Sequence, residues 1–503
     1  MKTTTFLTLL ASANAQHHGP WSKGPWSHGN SNPLIVETDS GTYRGLINGS
    51  APLVREFVGI PFAQPPKDDL RWLPPQKLHS NASHVYDATQ YPPSCAQYIS
   101  QVPTVFNTVT PEYSIAGPIS EDCLALSVWT PMHAEKLPVI MFITGGGFQT
   151  GGVEINYQLP YNWVQRTQAH IVVTINYRLN IFGFPNAAGL DDQNLGILDQ
   201  RMALEWVRDN IEAFGGDPSR ITLWGQSAGA ASVDINNFAF YDDPIVTGFF
   251  PQSGTAFLLS SDDEMNSNFT FVASHVGCHY PNDAAKELSC MRKVPWEDIE
   301  AFVGGYADNG TEPALNFNPV PDEKIVFSDY PQRYRENKVS QRPAIFSNTE
   351  EEGNSLVPFK RSGINETAAR EVTLSAFICP AAQTAKLRTQ AGLTTYRYEY
   401  SGVFDNTAPL PWMGPYHASD LPMMFATHQD YTNGEGQSTS FEYAVSERME
   451  DLVYAFMLDP EQGPQKQGWP PYTSGQMLRF GADGKVMQTV SVDSVEGDCS
   501  SAS

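Results

Sequence analysis

The run ITLWGQSAGA at 221–230 holds the residues best suited to chemistry. Ile221 to Trp224 are bulky, apolar or β-branched, as in a short buried strand. Gly225, Gln226, Ser227, Ala228 and Gly229 follow at once, and small residues then let a helix begin. A Gly-x-Ser-x-Gly between strand and helix makes a turn so sharp that the serine is strained and exposed. Cβ atoms at the flanking positions would clash there. Such a turn suits nucleophilic attack on a carbonyl carbon, with Ser227 as the nucleophile. The five-residue pattern alone is weak, and its strand-turn-helix context gives it force.

A serine hydroxyl attacks poorly until a base takes its proton, and the base needs an acid to fix its tautomer. Four histidines follow Ser227: His275, His279, His417 and His428. The first two flank Cys278 and precede most candidate acids, which suits a disulfide-linked loop. His417 lies in MGPYHASDLPMMF, a Gly/Pro-marked loop running into an apolar segment, where a base sits naturally above a sheet. His428 lies in the more polar ATHQDYTNGEG and is expected at the solvent-exposed surface. The order nucleophile, acid, base therefore favours His417. Candidate acids end the apolar run PAIFSNT: Glu350, Glu351 and Glu352, among which order alone does not choose.

The reaction also needs backbone N–H groups aimed at the developing oxyanion, each worth roughly 3–4 kcal/mol of barrier. Thr144-Gly145-Gly146-Gly147-Phe148 follows the apolar run LPVIMFI, and three glycines let the backbone approach a substrate closely. A phosphate-binding turn is the alternative, but GxGxxG spacing and a following lysine are missing. Ala228 N–H, directly after the nucleophile, is the remaining donor.

These groups must be carried by alternating strands and helices. LPVIMFI (137–143) and HIVVTINY (170–177) are continuous apolar runs, as parallel strands buried on both faces should be. QRMALEWVRDNI (200–211) has helical spacing, with Met202, Leu204, Val207 and Ile211 toward the core, and FGGDP ends it. LIVETDSGTYRGLI reads as a hairpin turning at Asp39-Ser40-Gly41. Further helices are expected near 284–290, 295–302, 367–377 and 441–458. The pattern predicts an α/β protein with a large, mostly parallel sheet flanked by helices. No internal repeat or linker divides residues 34–503, so they read as one domain, which a chain of 503 residues allows.

Composition narrows the partners. With 55 acidic against 31 basic residues the formal charge is −24, which disfavours nucleic acids and anionic membrane surfaces. Lys2, the apolar Phe6–Leu10 and Ala13-Asn14-Ala15 read as a signal peptide over 1–15, so the mature chain starts at Gln16 and is secreted. No later run approaches 18 apolar residues, so no stable membrane anchor is expected. Residues 16–33, with GPWS twice, read as a flexible arm; His18 near a free N-terminus could bind copper, but a cyclised Gln16 would block that amine. Six cysteines (Cys95, Cys123, Cys278, Cys290, Cys379, Cys499) in an exported chain imply three disulfides of open connectivity. None forms a CxxC pair, so no metal is expected, and the chemistry above calls for no cofactor. Sequons at Asn48, Asn81, Asn268, Asn309 and Asn365 would lie on surface loops if glycosylated.

The chain resembles the type-B carboxylesterase/lipase family, over roughly residues 34–499. The matching segments are FVGIPFAQPP with Arg71-Trp72, SEDCLALSVW, TGGGF, NYRLNIFGF, NLGILDQRMALEWVRDNIEAFGGDP, GQSAG, PQSG, EEG and GPYHASDLP. The resemblance implies an α/β-hydrolase fold and a secreted serine carboxylic ester hydrolase acting on a small-molecule ester. It implies Glu352 as acid, His417 as base, and Gly146 and Gly147 as oxyanion donors beside Ala228. It also implies bridges Cys95–Cys123, Cys278–Cys290 and Cys379–Cys499, and support of the histidine by Ser253 and Asp420. Thr144 stands where the family usually has His or Tyr, and Gln226 where cholinesterases have Glu. The segment between Cys95 and Cys123 has no Trp, which disfavours choline esters. Its prolines also break the amphipathic spacing of a lipase lid. A lipase acting on longer acyl chains remains an alternative, as does a biosynthetic enzyme forming lactones or transferring acyl groups. A non-catalytic adhesion-type relative would typically lack triad residues, and all three are present.

Overall fold

Continuous apolar runs become strands buried on both faces, and these strands form the centre of the molecule. The structure, a computed structural model, describes residues 32–78, 84–258, 261, 263, 265–431 and 436–501. The expected signal peptide, almost all of the expected arm and the sequon Asn81 lie outside the described residues. In chain order the central strands are β1 (Val54–Pro61), β2 (Ala125–Pro131), β3 (Leu137–Ile143), β4 (Ile171–Ile175) and β5 (Gly216–Gln226). They continue with β6 (Gly248–Gln252), β7 (Ala344–Thr349), β8 (Thr395–Tyr400), β9 (Gln476–Phe480) and β10 (Met487–Ser491).

The sheet order is β10-β9-β8-β7-β6-β5-β3-β4-β2-β1. From β9 through β4 every neighbouring pair is parallel, while β10, β2 and β1 attach antiparallel. The expected α/β class with a mostly parallel sheet is thus the observed one. Parallel strands present their C-terminal ends at one edge, and ligands in such sheets bind outside that edge. The chain places Gly145–Gly147 after β3, Ser227 after β5, Ser253 after β6 and Glu352 after β7.

Helices cover the sheet. Leu195–Asn210 begins five residues before its predicted start, with Leu204 and Val207 buried and Met202 half-buried. Ala228–Ala239 is buried along nearly its whole length beneath the nucleophile turn. The other expected helices occur as Ala284–Met291, Trp296–Asp308 and Ser440–Leu458. The fourth differs: Glu366–Val372 widens into a π-helix over Thr373–Ile378 and continues as Cys379–Gln390. Pro380 cannot donate to a carbonyl four residues back, and its ring would crowd that carbonyl in a regular helix. The wide turn before it lets the helix continue, so the proline did not end it. The predicted hairpin forms from Ile35–Thr38 and Gly41–Arg44 and joins Val85–Asp87 in a small separate sheet. The cysteines pair as Cys95–Cys123, Cys278–Cys290 and Cys379–Cys499.

Candidate active site

Ser227 closes β5 with φ 58° and ψ −123°, a backbone conformation that L-residues rarely adopt. Two glycines make this turn possible. A Cβ at Gly225 would overlap the carbonyl of Gly229, and one at Gly229 would overlap the carbonyl of Ile143. The strain is held by hydrogen bonds: Ser227 N donates to Gln252 O at 2.9 Å, and Ala231 N donates to Ser227 O at 2.9 Å.

Glu352 opens a 3-10 turn just beyond β7 and is fully buried. Its Oε2 lies 2.5 Å from His417 Nδ1, and its Oε1 accepts from Thr349 N at 2.8 Å. The backbones also meet, with His417 N donating to Glu352 O at 3.3 Å. A Cβ at Gly353 would overlap Ala369 O, which explains why glycine follows the acid. Glu351, in contrast, is exposed, and Glu350 is only half-buried. Ala418, after the histidine, has φ 73°, and the Phe377 ring packs on His417 with centroids 4.7 Å apart.

A carboxylate only accepts hydrogen bonds, so Nδ1 of His417 carries the proton and Nε2 presents a lone pair. Gln226 Nε2 sits 3.2 Å from that nitrogen. Among the described residues Ser227 Oγ has no hydrogen-bond partner.

Gly146 (φ 106°) and Gly147 (φ 63°) both occupy left-handed backbone, which three consecutive glycines allow. Among the described residues, the N–H groups of Gly146, Gly147 and Ala228 donate to no protein acceptor. Ala228 opens its helix, where N–H groups have no intrahelical partner and form the positive end of the dipole. Thr144 Oγ1 is committed to Gln158 Oε1 at 2.8 Å. Its departure from the family pattern therefore leaves the glycine N–H groups free.

Asp420 and Ser253 are both fully buried near this cluster. Asp420 Oδ2 accepts from Tyr398 OH at 3.2 Å, while Ser253 Oγ has no hydrogen-bond partner among the described residues. Burial, and then the charge of Glu352, push the Asp420 carboxyl up to about 7. Neither side chain hydrogen-bonds His417 among the described residues.

The other histidines stand apart. His275 caps its own helix through Phe271 O, and His279 meets Ser274 Oγ beside the Cys278–Cys290 bridge. The expectation for His428 was wrong. It is 1% exposed, with Nδ1 2.9 Å from Ser438 Oγ and 3.5 Å from Glu442 Oε1. Asn406 links the group, its Nδ2 donating to His428 O at 3.0 Å and to Glu442 Oε1 at 3.0 Å. Of the four sequons within the described residues, Asn309 and Asn365 are exposed, whereas Asn48 and Asn268 are half-buried. Asn268 is on a helix rather than a loop, and its Nδ2 donates to Asn316 O.

Ser227, His417 and the three glycines face a cavity of about 570 Å³. Its wall is otherwise apolar or neutral: Leu258, Leu356, Val372 and Phe377 on one part, Phe106 and Tyr113 on another. Among the described residues no Asp, Glu, Lys or Arg lines it. The segment between Cys95 and Cys123 forms the roof, with a single four-residue α-helix at Val105–Thr108. It is tied down at several points, Gln97 bonding Gly151 and Gly117 N donating to Glu154 among them. Ser100 Oγ and Gln101 N donate to Asp308 at 2.6 and 2.8 Å, and Tyr113 OH donates to Ala418 O at 2.8 Å. Sequence reasoning missed Gln226, Phe377 and Tyr113 as parts of the site, since contacts across 40 to 300 residues leave no local pattern.

The chain is similar along most of its length to known proteins. The model of the carboxylesterase family matches residues 32–375 and 361–496. A chlorogenic acid esterase of Aspergillus niger is 41% identical, covering 98% of this chain and 99% of that protein. Secreted lipase 5 of Gibberella zeae is 37% identical, covering 93% and 94%. An acetylcholinesterase of Bungarus fasciatus is 29% identical, covering 89% and 82%.

Proposed function

Because the chain belongs to the carboxylesterase family, and so is an α/β-hydrolase that cleaves carboxylic esters, we propose that Ser227, His417 and Glu352 are its catalytic triad. The observation that carries this reading is the Glu352–His417 contact in the wall of the cavity that Ser227 faces. Ser227 Oγ attacks the ester carbonyl as His417 Nε2 takes its proton, and the carbonyl oxygen becomes an oxyanion held by Gly146, Gly147 and Ala228 N–H. The tetrahedral species collapses, the C–O bond to the alcohol breaks, and His417 returns the proton to the leaving oxygen. Water then attacks the acyl-enzyme by the same route, releasing the acid and restoring Ser227. Ser253 and Asp420 support the position of the Glu352–His417 pair from behind.

The described residues of the cavity wall offer no carboxylate to a cationic alcohol, which disfavours choline esters. Its apolar and aromatic wall suits an apolar or aromatic acyl group. The tied-down roof supports an esterase working on dissolved substrate. Ile99 and Val102, exposed on that roof, are what favours the second reading, a lipase. Relatives named as secreted support export of this chain, with residues 1–15 as signal peptide.

The test is hydrolysis of p-nitrophenyl esters from acetate to palmitate, and of chlorogenic acid, by wild type and Ser227→Ala. Turnover that disappears in the variant is expected. Equal turnover in both proteins would end the triad assignment, and a rate jump above the solubility limit of the long esters would favour the lipase.

A further inference from the structure

Gln226 has no part in the reaction as written, yet its side chain touches the base. It is 3% exposed, ends β5, and puts its Nε2 3.2 Å from His417 Nε2. With the proton on Nδ1 facing Glu352, that histidine nitrogen has one lone pair, and only a donor can sit against it. The amide N–H of Gln226 fills that role. The same lone pair must accept the proton of Ser227, whose hydroxyl is unpartnered among the described residues.

Gly145 makes room for this arrangement. A Cβ there would lie 2.7 Å from Gln226 Oε1, 2.8 Å from Gln226 O and 3.0 Å from Ser227 Cβ. The three consecutive glycines thus have separate tasks: Gly146 and Gly147 turn their N–H groups to the cavity, and Gly145 admits the Gln226 side chain.

We propose that Gln226 is a positioning residue for the base: its amide holds the proton-accepting nitrogen of His417 in the substrate-free enzyme and releases it to Ser227 when an ester enters. A donor at Nε2 favours the unprotonated imidazole, the form that can act as base. A glutamate at 226 would do the reverse, because a carboxylate there favours the doubly protonated ring. The proposal rests on the triad assignment above.

The test compares kcat/KM against pH for wild type, Gln226→Glu and Gln226→Met, with Ser227→Ala as control. Among the described residues the ionisable groups around His417 are Glu352 and, behind it, Asp420 with Tyr398, and all stay in every variant. With Glu at 226 the acid limb should move up by about one pH unit. With Met, which removes the donor without adding charge, it should move up by roughly half a unit. An acid limb unchanged from wild type in the Met variant would overturn the proposal, whether or not the Glu variant folds. An active Ser227→Ala would instead overturn the triad beneath it.

Discussion

Glu352 and His417 are 65 residues apart in the chain, yet their side chains meet at 2.5 Å and their backbones at 3.3 Å. The double contact fixes the imidazole in one orientation, with its second nitrogen turned toward Gln226 and the cavity.

Breaking that contact should cost rate rather than folding. An amide in Glu352→Gln cannot balance the imidazolium charge that forms during attack. We expect kcat to fall by about 10³–10⁴ with KM nearly constant, read by steady-state kinetics with a far-UV spectrum as control.

Gly146→Ala should damage the oxyanion donors. A Cβ there would overlap Thr150 O, and φ 106° is strained for alanine. A drop in kcat of about 10²–10³ is expected, with labelling of Ser227 by a fluorophosphonate slowed as well. Wild-type kcat in this variant would remove Gly146 from the oxyanion site.

Gly304→Ala should reshape the cavity from outside. The Tyr98 ring lies directly on Gly304, and an added Cβ would overlap it. Displacing Tyr98 would loosen the roof segment that Asp308 anchors. KM for butyrate and longer esters should rise at least about threefold, with less change for acetate. A uniform change across chain lengths would count against Tyr98 as part of the acyl or alcohol wall.

Stability should fall as pH rises through the neutral range. Burial pushes Glu300 up to about 8, and Glu56 and Asp420 up to about 7, while their unfolded values stay near 4. The folded chain thus retains protons that the unfolded chain gives up. This contribution is full below the unfolded values and is lost as pH passes the folded ones. Thermal unfolding should show a higher Tm at pH 5 than at pH 8. Glu300→Gln should recover roughly 1–3 kcal/mol at pH 8 and little at pH 5.

The three bridges should differ in weight because they close spans of 12, 28 and 120 residues. Chain-entropy arithmetic gives about 3 kcal/mol for Cys278–Cys290 and about 5 for Cys379–Cys499. Paired Cys→Ser variants in urea should keep that order. The reverse order would show that native-state packing outweighs loop closure here.

Much of this was legible in the sequence because it is local. The elbow needs glycines two residues either side of Ser227, and the strand beside it, Leu137–Ile143, and the next one, Ile171–Ile175, are apolar runs. His428 misled for the opposite reason. The helix Ser440–Leu458 brings Ser438 and Glu442 against it, and a polar segment can be buried when its polar groups bond one another. The end of the helix at 367–377 was misplaced because a π turn is set by packing and by Pro380, and no residue pattern announces it.

By itself the sequence determined the alternation of strands and helices, the strained turn at Ser227 and the run of glycines, since each depends on neighbours within a few residues. Resemblance to a family chose Glu352 from three adjacent glutamates. Only the tertiary structure decided that Glu352 alone of the three is fully buried and that its carboxylate reaches Nδ1. It also decided that the free lone pair of His417 faces an amide, and that among the described residues no Asp, Glu, Lys or Arg lines the cavity. Those are relations between distant segments, set by the register of parallel strands whose ends meet at one edge of the sheet, and a linear pattern does not carry them.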